Sequence, residues 1–172
     1  MELRDIYNLD RMPLGKTAVR GEPVGDDEFF MVIHVCIFNS KGEMLIQQRQ
    51  PFKKGWSNMW DITCGGCSVS GESSRDTVHR ELSEELGIDI NFDGVRPNMT
   101  VNFDHGFDDF YLINRDLDLD SLRLQPEEVQ AVKWASMEEI FAMIDDGSFI
   151  PFFKSFIHLL FDIRNKPDCL NI

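Results

Sequence analysis

Four glutamates and one arginine lie close enough along this chain to do chemistry together. Glu72 is followed by Arg80-Glu81, then by Glu84-Glu85, with Gly87 just beyond. Carboxylates crowded in this way offer hard oxygen donors, which suit a divalent cation such as Mg²⁺. The same residues are a poor choice for a bare surface. Glu81 and Glu85 are like charges one helical turn apart, at a cost of roughly 0.2–0.5 kcal/mol. Glu84 and Glu85 add negative charge at the negative end of a helix dipole, costing about 0.3–1 kcal/mol each. On spacing alone two readings stand level. One is a metal platform; the other is a solvated acidic face in which Arg80 and Glu84 form an ordinary i, i+4 pair.

The element that must position these groups is a helix. Ser73 and Ser74 are N-cap residues, and Gly87 is a stop just past the last turn. Val78, Leu82 and Leu86 recur every four residues and make one buried stripe. The spacing predicts an amphipathic helix over 73–86. Glu81, Glu84 and Glu85 then share an arc of roughly 100°.

Strands are expected around it. Phe29 to Phe38 is a nearly continuous apolar run, read as a strand buried on both faces. Asn39 to Gly42 reads as a turn, with Glu43 to Arg49 as the hairpin partner. Met59 to Gly66 reads as one further strand, whose glycine pair feeds the acidic helix. Thr100–Phe103 and Phe107–Asn114 read as two strands joined by a tight turn, and Val129 to Trp134 as another. Ser136 with Glu139 forms a capping box for a helix to about Asp145. Pro151 at the first helical position opens a last helix to about Asn165. Residues 1–28 are polar and rich in turn formers, consistent with a short hairpin or an arm. The whole of 1–172 reads as one α/β domain, a mixed sheet with helices on its faces.

From Gly66 to Ile88 the chain resembles the Nudix hydrolase signature. Gly66, Glu72, Arg80, Glu81, Leu82, Glu84, Glu85, Gly87 and Ile88 fill all nine of its specified positions within 23 residues. So many constraints in so short a span are far more specific than a lone glycine motif. The resemblance implies an α/β/α sandwich. It also implies hydrolysis of a nucleoside diphosphate linked to another group, by water attack at phosphorus with Mg²⁺ or Mn²⁺. Under it, Glu81 and Glu85 are the leading metal ligands, then Glu84 and Glu72, with the carbonyl of Gly65 completing the set. Arg80 cannot bind a cation and is expected to orient Glu72 or Glu84; Glu72 alternatively serves the helix dipole. The general base is left open between a helix glutamate, Glu84 or Glu81, and Glu128 in a later loop. Glu127 beside it, with Arg49, Lys53 and Lys54, is a candidate for contacting substrate. Glu127 and Glu128 read equally well as a solvated acidic pair. Trp60, Phe103 and Phe110 stand between core packing and base stacking.

The stretch from Phe38 to Gly66 also resembles the isopentenyl-diphosphate isomerase branch. Its cysteine falls at Gly65 here, and its histidine ligands fall at Cys67 and Phe30, so isomerisation is not expected. A non-catalytic binding module would be expected to lose motif carboxylates, and all four are present.

Composition narrows the partners. A net charge of −13 argues against binding nucleic acid backbones. The segment MELRDIYNLD lacks an apolar h-region, and no apolar run reaches membrane-spanning length. Four cysteines without a secretion signal suggest reduced thiols in a cytoplasm. Cys64 and Cys67 form a C-x-x-C, but Cys36 and Cys169 stand alone, so the pair reads as coincidence before zinc or redox chemistry. His34 reads as a satisfied core histidine and His105 as solvated at a turn tip. The Phe149 to Phe161 segment is either core or a homodimer patch. The expected partner is a small phosphorylated molecule, with neither nucleic acid nor membrane.

Overall fold

The computed structural model describes residues 2–165 and 170; Cys169 lies outside the described residues. β1 (Leu3–Tyr7) and β2 (Pro13–Val19) form an antiparallel hairpin. A mixed sheet contains β3 (Phe30–Phe38), β4 (Met44–Arg49), β5 (Trp60–Asp61), β6 (Cys64–Cys67), β7 (Met99–Phe103), β8 (Gly106–Asn114) and β9 (Val129–Ala135). The helices are α1 (Ser74–Leu86), α2 (Met137–Asp145) and α3 (Lys154–Ile163).

β3 is the spine. It runs parallel to β8 along its whole length, and both of its faces are covered. Ile33, Val35 and Ile37 meet Val78, Leu82 and Leu86 of α1 in one core. Cys36 and Phe38 meet Ile140 of α2 and Ile157 and Leu160 of α3 in the other. This is the α/β/α sandwich, and it explains why the run is apolar without alternation. Burying each Val or Leu of the α1 stripe contributes about 1.5–3 kcal/mol, enough to outweigh the charge crowding on the same helix. The ends of α1 are well made. Ser73 Oγ accepts from Asp76 N while the Asp76 carboxylate accepts from Ser73 N, and Gly87 takes φ 68°.

Three strand and helix expectations are corrected. The β3–β4 hairpin pairs only at Phe38 and Met44. The strands then diverge, so β6 takes the edge of β3 while β5 and β9 flank β4. The single strand read over Met59 to Gly66 is therefore two. Ile62 and Thr63 cross the gap, where Thr63 Oγ1 donates to Leu45 O at 2.5 Å and accepts from Ile37 N at 2.9 Å. The last helix starts at Lys154, not Pro151. Residues 148–150 are held extended against β5, with Trp60 N donating to Ser148 O and Ile150 N to Trp60 O, both at 2.8 Å. Phe149, Leu160 and Phe161 are core.

Residues 1–28 include the β1–β2 hairpin, which docks on the loop before α1. Ser70 N donates to Leu3 O at 2.8 Å, and the Asp5 carboxylate accepts from Ser70 Oγ at 2.7 Å and Gly71 N at 2.9 Å. Arg11, in the turn, forms an ion pair with the buried Asp109. Among the described residues no helix is long and apolar enough to cross a membrane.

Candidate active site

The stripe that buries α1 also carries two of its acids inward. Glu81 and Glu85 are 7% and 6% exposed. They lie under the β6 glycines: a Cβ at Gly66 would sit 2.8 Å from Glu81 Cγ and overlap the carboxylate. Gly66 is needed for space, not for an unusual backbone angle. Gln47 Nε2 donates to Glu85 Oε2 at 3.1 Å. Burial, with the charge of Glu81 added, pushes Glu85 up to about 7 against the pull of Cys64 and Gln47. Burial also raises Glu81, despite the opposing charges of Arg80 and Arg20. Desolvation leads at both acids, and a like charge adds to it, Glu81 at Glu85 and Glu84 at Glu81.

Arg80 ties the remaining acids together. Its Nε and Nη2 donate to the two Glu72 oxygens at 2.7 and 3.1 Å. Nη1 donates to Glu81 Oε1 at 2.9 Å and to Glu84 Oε2 at 3.2 Å, while Nη2 also reaches Cys67 O at 3.2 Å. Burial would raise Glu72, but Arg80, Val69 N and Thr77 hold it below its usual range. The helix N-terminus is capped by Ser73 and Asp76, so Glu72 is not needed for that purpose.

The donor set fits a divalent cation. Glu81 and Glu85 present hard oxygens, and at Glu85 burial and the neighbouring charge of Glu81 oppose ionisation, which a cation would relieve. Among the described residues no three His, Cys, Asp or Glu side chains are already gathered as a metal group. Glu84 is 51% exposed and Glu72 is held by Arg80.

Residues 29–154 match the NUDIX domain family. The chain belongs to the Nudix family. It is 44% identical over 165 residues to an uncharacterized Nudix hydrolase of Listeria monocytogenes, covering 96% of each chain. A crystal structure of a Deinococcus radiodurans protein is similar in fold, with a TM-score of 0.73 at 23% identity over 92% of this chain and 97% of that one. An isopentenyl-diphosphate Delta-isomerase of Escherichia coli is 29% identical over 85 residues, 49% of this chain and 47% of the isomerase. As a Nudix hydrolase the protein is an enzyme, of a family that generally cleaves pyrophosphate bonds with a divalent metal.

The other sequence candidates fall at varied distances from the Nudix helix. Gln125 N donates to Glu85 O at 2.9 Å, which fastens the later loop to the end of α1. Glu128 of that loop acts electrostatically on Glu85 and is ion-paired with Lys53. Glu127 and Lys54 are exposed and without hydrogen-bond partners among the described residues. Arg49 is engaged internally, with Nε donating to Gly55 O at 3.2 Å and Nη1 lying 3.7 Å from the Asp61 carboxylate. Phe110 is core, Trp60 is partly buried beneath Lys133, and Phe103 is substantially exposed.

Several neighbours had no signal in the sequence. Gln47 and Asp61 come from strands whose pairing the pattern did not reveal. Arg20 lies just past the N-terminal hairpin, and its charge reaches Glu81. His34 is satisfied, as expected, and the sequence did not reveal by what. Its Nδ1 lies 2.8 and 2.9 Å from the Asp108 oxygens, its ring stacks on Phe110, and a Cβ at Gly65 would come within 2.5 Å of Cδ2. Burial opposes its charged form, but Asp108 holds it above its usual value. His105 is not solvated as expected: its Nδ1 is buried without a partner. Cys64 and Cys67 are three residues apart in a regular strand, so their side chains lie on opposite faces. Burial pushes both thiols up, which disfavours a reactive pair.

Proposed function

We propose that this enzyme hydrolyses a phosphoanhydride bond in a nucleoside diphosphate linked to another group, by attack of water at phosphorus. The observation that carries the reading is the buried Glu81–Glu85 pair under Gly66, both acids raised by burial. Glu81 and Glu85, with Glu84, Glu72 and the Gly65 carbonyl as further donors, would hold Mg²⁺ or Mn²⁺, which would supply positive charge to the phosphates and to the attacking water. The chain's own contribution is positioning. Gly66 leaves room for Glu81, Gln47 fixes the outer oxygen of Glu85, and Arg80 locks Glu72 to Glu81. Phosphoryl transfer asks for little else beyond placed charge. Glu84, exposed and tethered through Arg80 alone, is free to turn toward water as the base. Glu128, across the site on Lys53, is the alternative. Lys54 and Arg49 serve the substrate phosphates, and Glu127 a group beyond them.

Phosphate release tests this, measured on nucleoside di- and triphosphates, sugar nucleotides, dinucleotides and coenzyme A, with Mg²⁺, with Mn²⁺ and with chelator. Metal-dependent cleavage of one class is expected, lost in Glu85→Gln. A Glu85→Gln protein as fast as the parent would show the metal site to be wrong. The isomerase likeness offers a second reading, but a cysteine at position 65 would collide with His34. Direct assay of isopentenyl diphosphate is expected to show no isomerisation.

A further inference from the structure

The loop between β4 and β5, residues 50–59, holds a backbone conformation that its sequence does not favour. Trp56 takes φ 50° and Asn58 φ 59°. Asparagine enters the left-handed region at little cost, but a bulky residue there is strained. Hydrogen bonds on both sides of Trp56 hold it so. Arg49 Nε donates to Gly55 O at 3.2 Å, Met59 N to Trp56 O at 3.3 Å, and Gln48 Nε2 to Asn58 O at 3.1 Å. The result is exposure: Trp56 is 52% and Phe52 67% exposed. A tryptophan buried in a core could offset such strain by packing, but one half in water gains little. Backbone strain that packing does not offset marks a functional position.

The loop is fastened to the acidic pair. Gln125 N donates to Glu85 O at 2.9 Å, and Glu128 N to Gln125 O at 3.0 Å. Glu128 O in turn accepts from Gln50 N at 3.0 Å, and its carboxylate is ion-paired with Lys53. A chain of bonds thus runs from the end of α1 to the base of the loop. The strand that enters the loop carries Gln47, which holds Glu85. Lys54, exposed, adds a cation two residues before Trp56. Cationic charge and an open aromatic face on one loop, beside carboxylates that suit a metal, match a ligand with both phosphates and a planar ring.

We infer that Trp56 is a specificity-determining residue whose indole stacks on the base of the substrate nucleotide. This rests on the hydrolase reading above and says how the nucleoside end is held. Stacking tolerates any base, because every base has a π-face. Trp56 therefore separates nucleotides from sugar phosphates and discriminates little between one base and another. Fluorescence tests the contact without turnover. AMP has no phosphoanhydride bond, so it binds uncleaved. Added to the protein in Mg²⁺, it should quench tryptophan emission and saturate with a Kd on the order of 1 mM or tighter. GMP and CMP should do the same with Kd values within about tenfold. Ribose 5-phosphate should leave the emission in place. The quench should vanish in Trp56→Phe, which keeps Trp60 and Trp134. No quench with AMP, an equal one with ribose 5-phosphate, or one that persists in Trp56→Phe overturns the contact whatever the enzyme hydrolyses.

Turnover supplies the second half, on the nucleotide cleaved fastest in the phosphate-release panel. Trp56→Ala should raise KM about tenfold at unchanged kcat, the signature of lost stacking that serves ground state and transition state alike. Trp56→Phe should recover most of that. Trp56→Gly separates recognition from folding. Glycine accepts φ 50° without strain, so this variant should melt no lower than Trp56→Ala while its KM stays raised. A parent-like KM in both variants, or a fall in kcat alone, would show Trp56 to be structural. A glycine variant less stable than the alanine one would refute the strained backbone from which the role is inferred.

Discussion

Consider Glu85→Gln in protein stripped of metal. Glu85 titrates near 7 in the fold instead of at its ordinary 4.5, because burial and the charge of Glu81 oppose its ionisation. At roughly 1.4 kcal/mol per pH unit, that difference is on the order of 3 kcal/mol. The sign follows from a raised acid. The stability it contributes is fully present below 4.5 and is lost as pH rises through about 7. Glutamine cannot ionise, and its amide oxygen can still accept from Gln47. The variant should therefore match the parent near pH 4.5 and exceed it at pH 8.5 by on the order of 3 kcal/mol. For a chain of this size that is roughly 6–12 °C in Tm. The assay is thermal and urea unfolding of both proteins in chelator at the two pH values, then with Mg²⁺. Taking parent against variant cancels the other titrating groups. Mg²⁺ should stabilise the parent and leave the variant nearly unmoved, while activity is lost. A variant no more stable than the parent at pH 8.5, or a gap that is the same at both pH values, would refute burial as the cause of the raised acid.

Three further outcomes follow from the same geometry. Gly66→Ala forces Glu81 off its position; kcat should fall by about 100-fold and stability by about 1–3 kcal/mol, read by steady-state kinetics and urea unfolding. Arg80→Ala strands Glu72 and Glu81 and should cost about 3–5 kcal/mol, with Arg80→Lys recovering only part because lysine lacks the fork. Asp109→Asn breaks the buried partner of Arg11. The cost should be about 1–2 kcal/mol given the partial exposure of Arg11, with earlier proteolysis in the β1–β2 turn. Burial opposes Asp109's ionisation, but Arg11 and Thr100 hold it below its usual range, so this contribution is present at neutral pH and lost on acidification.

Local rules were legible wherever a residue's neighbours in sequence are also its neighbours in space. The Ser73 cap, the Gly87 stop and the Val78–Leu82–Leu86 stripe all sit within one helix, and all were readable at residue resolution. So was the two-sided burial of Phe30–Phe38, since an unbroken apolar run has few other uses. The β3–β4 splay was not legible, because strand periodicity states which way a side chain points but not which strand lies beside it. The same gap hid Gln47 and the His34–Asp108 pair. The start of α3 was misread because Pro151 obeys a local helix rule, while the backbone before it is committed to Trp60, some ninety residues earlier in the chain.

The sequence by itself determined the helix, because Arg80, Glu81, Glu84 and Glu85 are fixed in relation to one another by 3.6-residue geometry, and its resemblance to the Nudix signature supplied the reaction family. Only the tertiary structure decided which of those acids are charged and which are free to move. Burial ranks Glu81 and Glu85 apart from the half-exposed Glu84. That environment is set by Gly66 and Gln47, which approach α1 from two strands, and by the charge of Arg20, just past the N-terminal hairpin. Desolvation depends on everything packed around a group, so no spacing along the chain could have carried it.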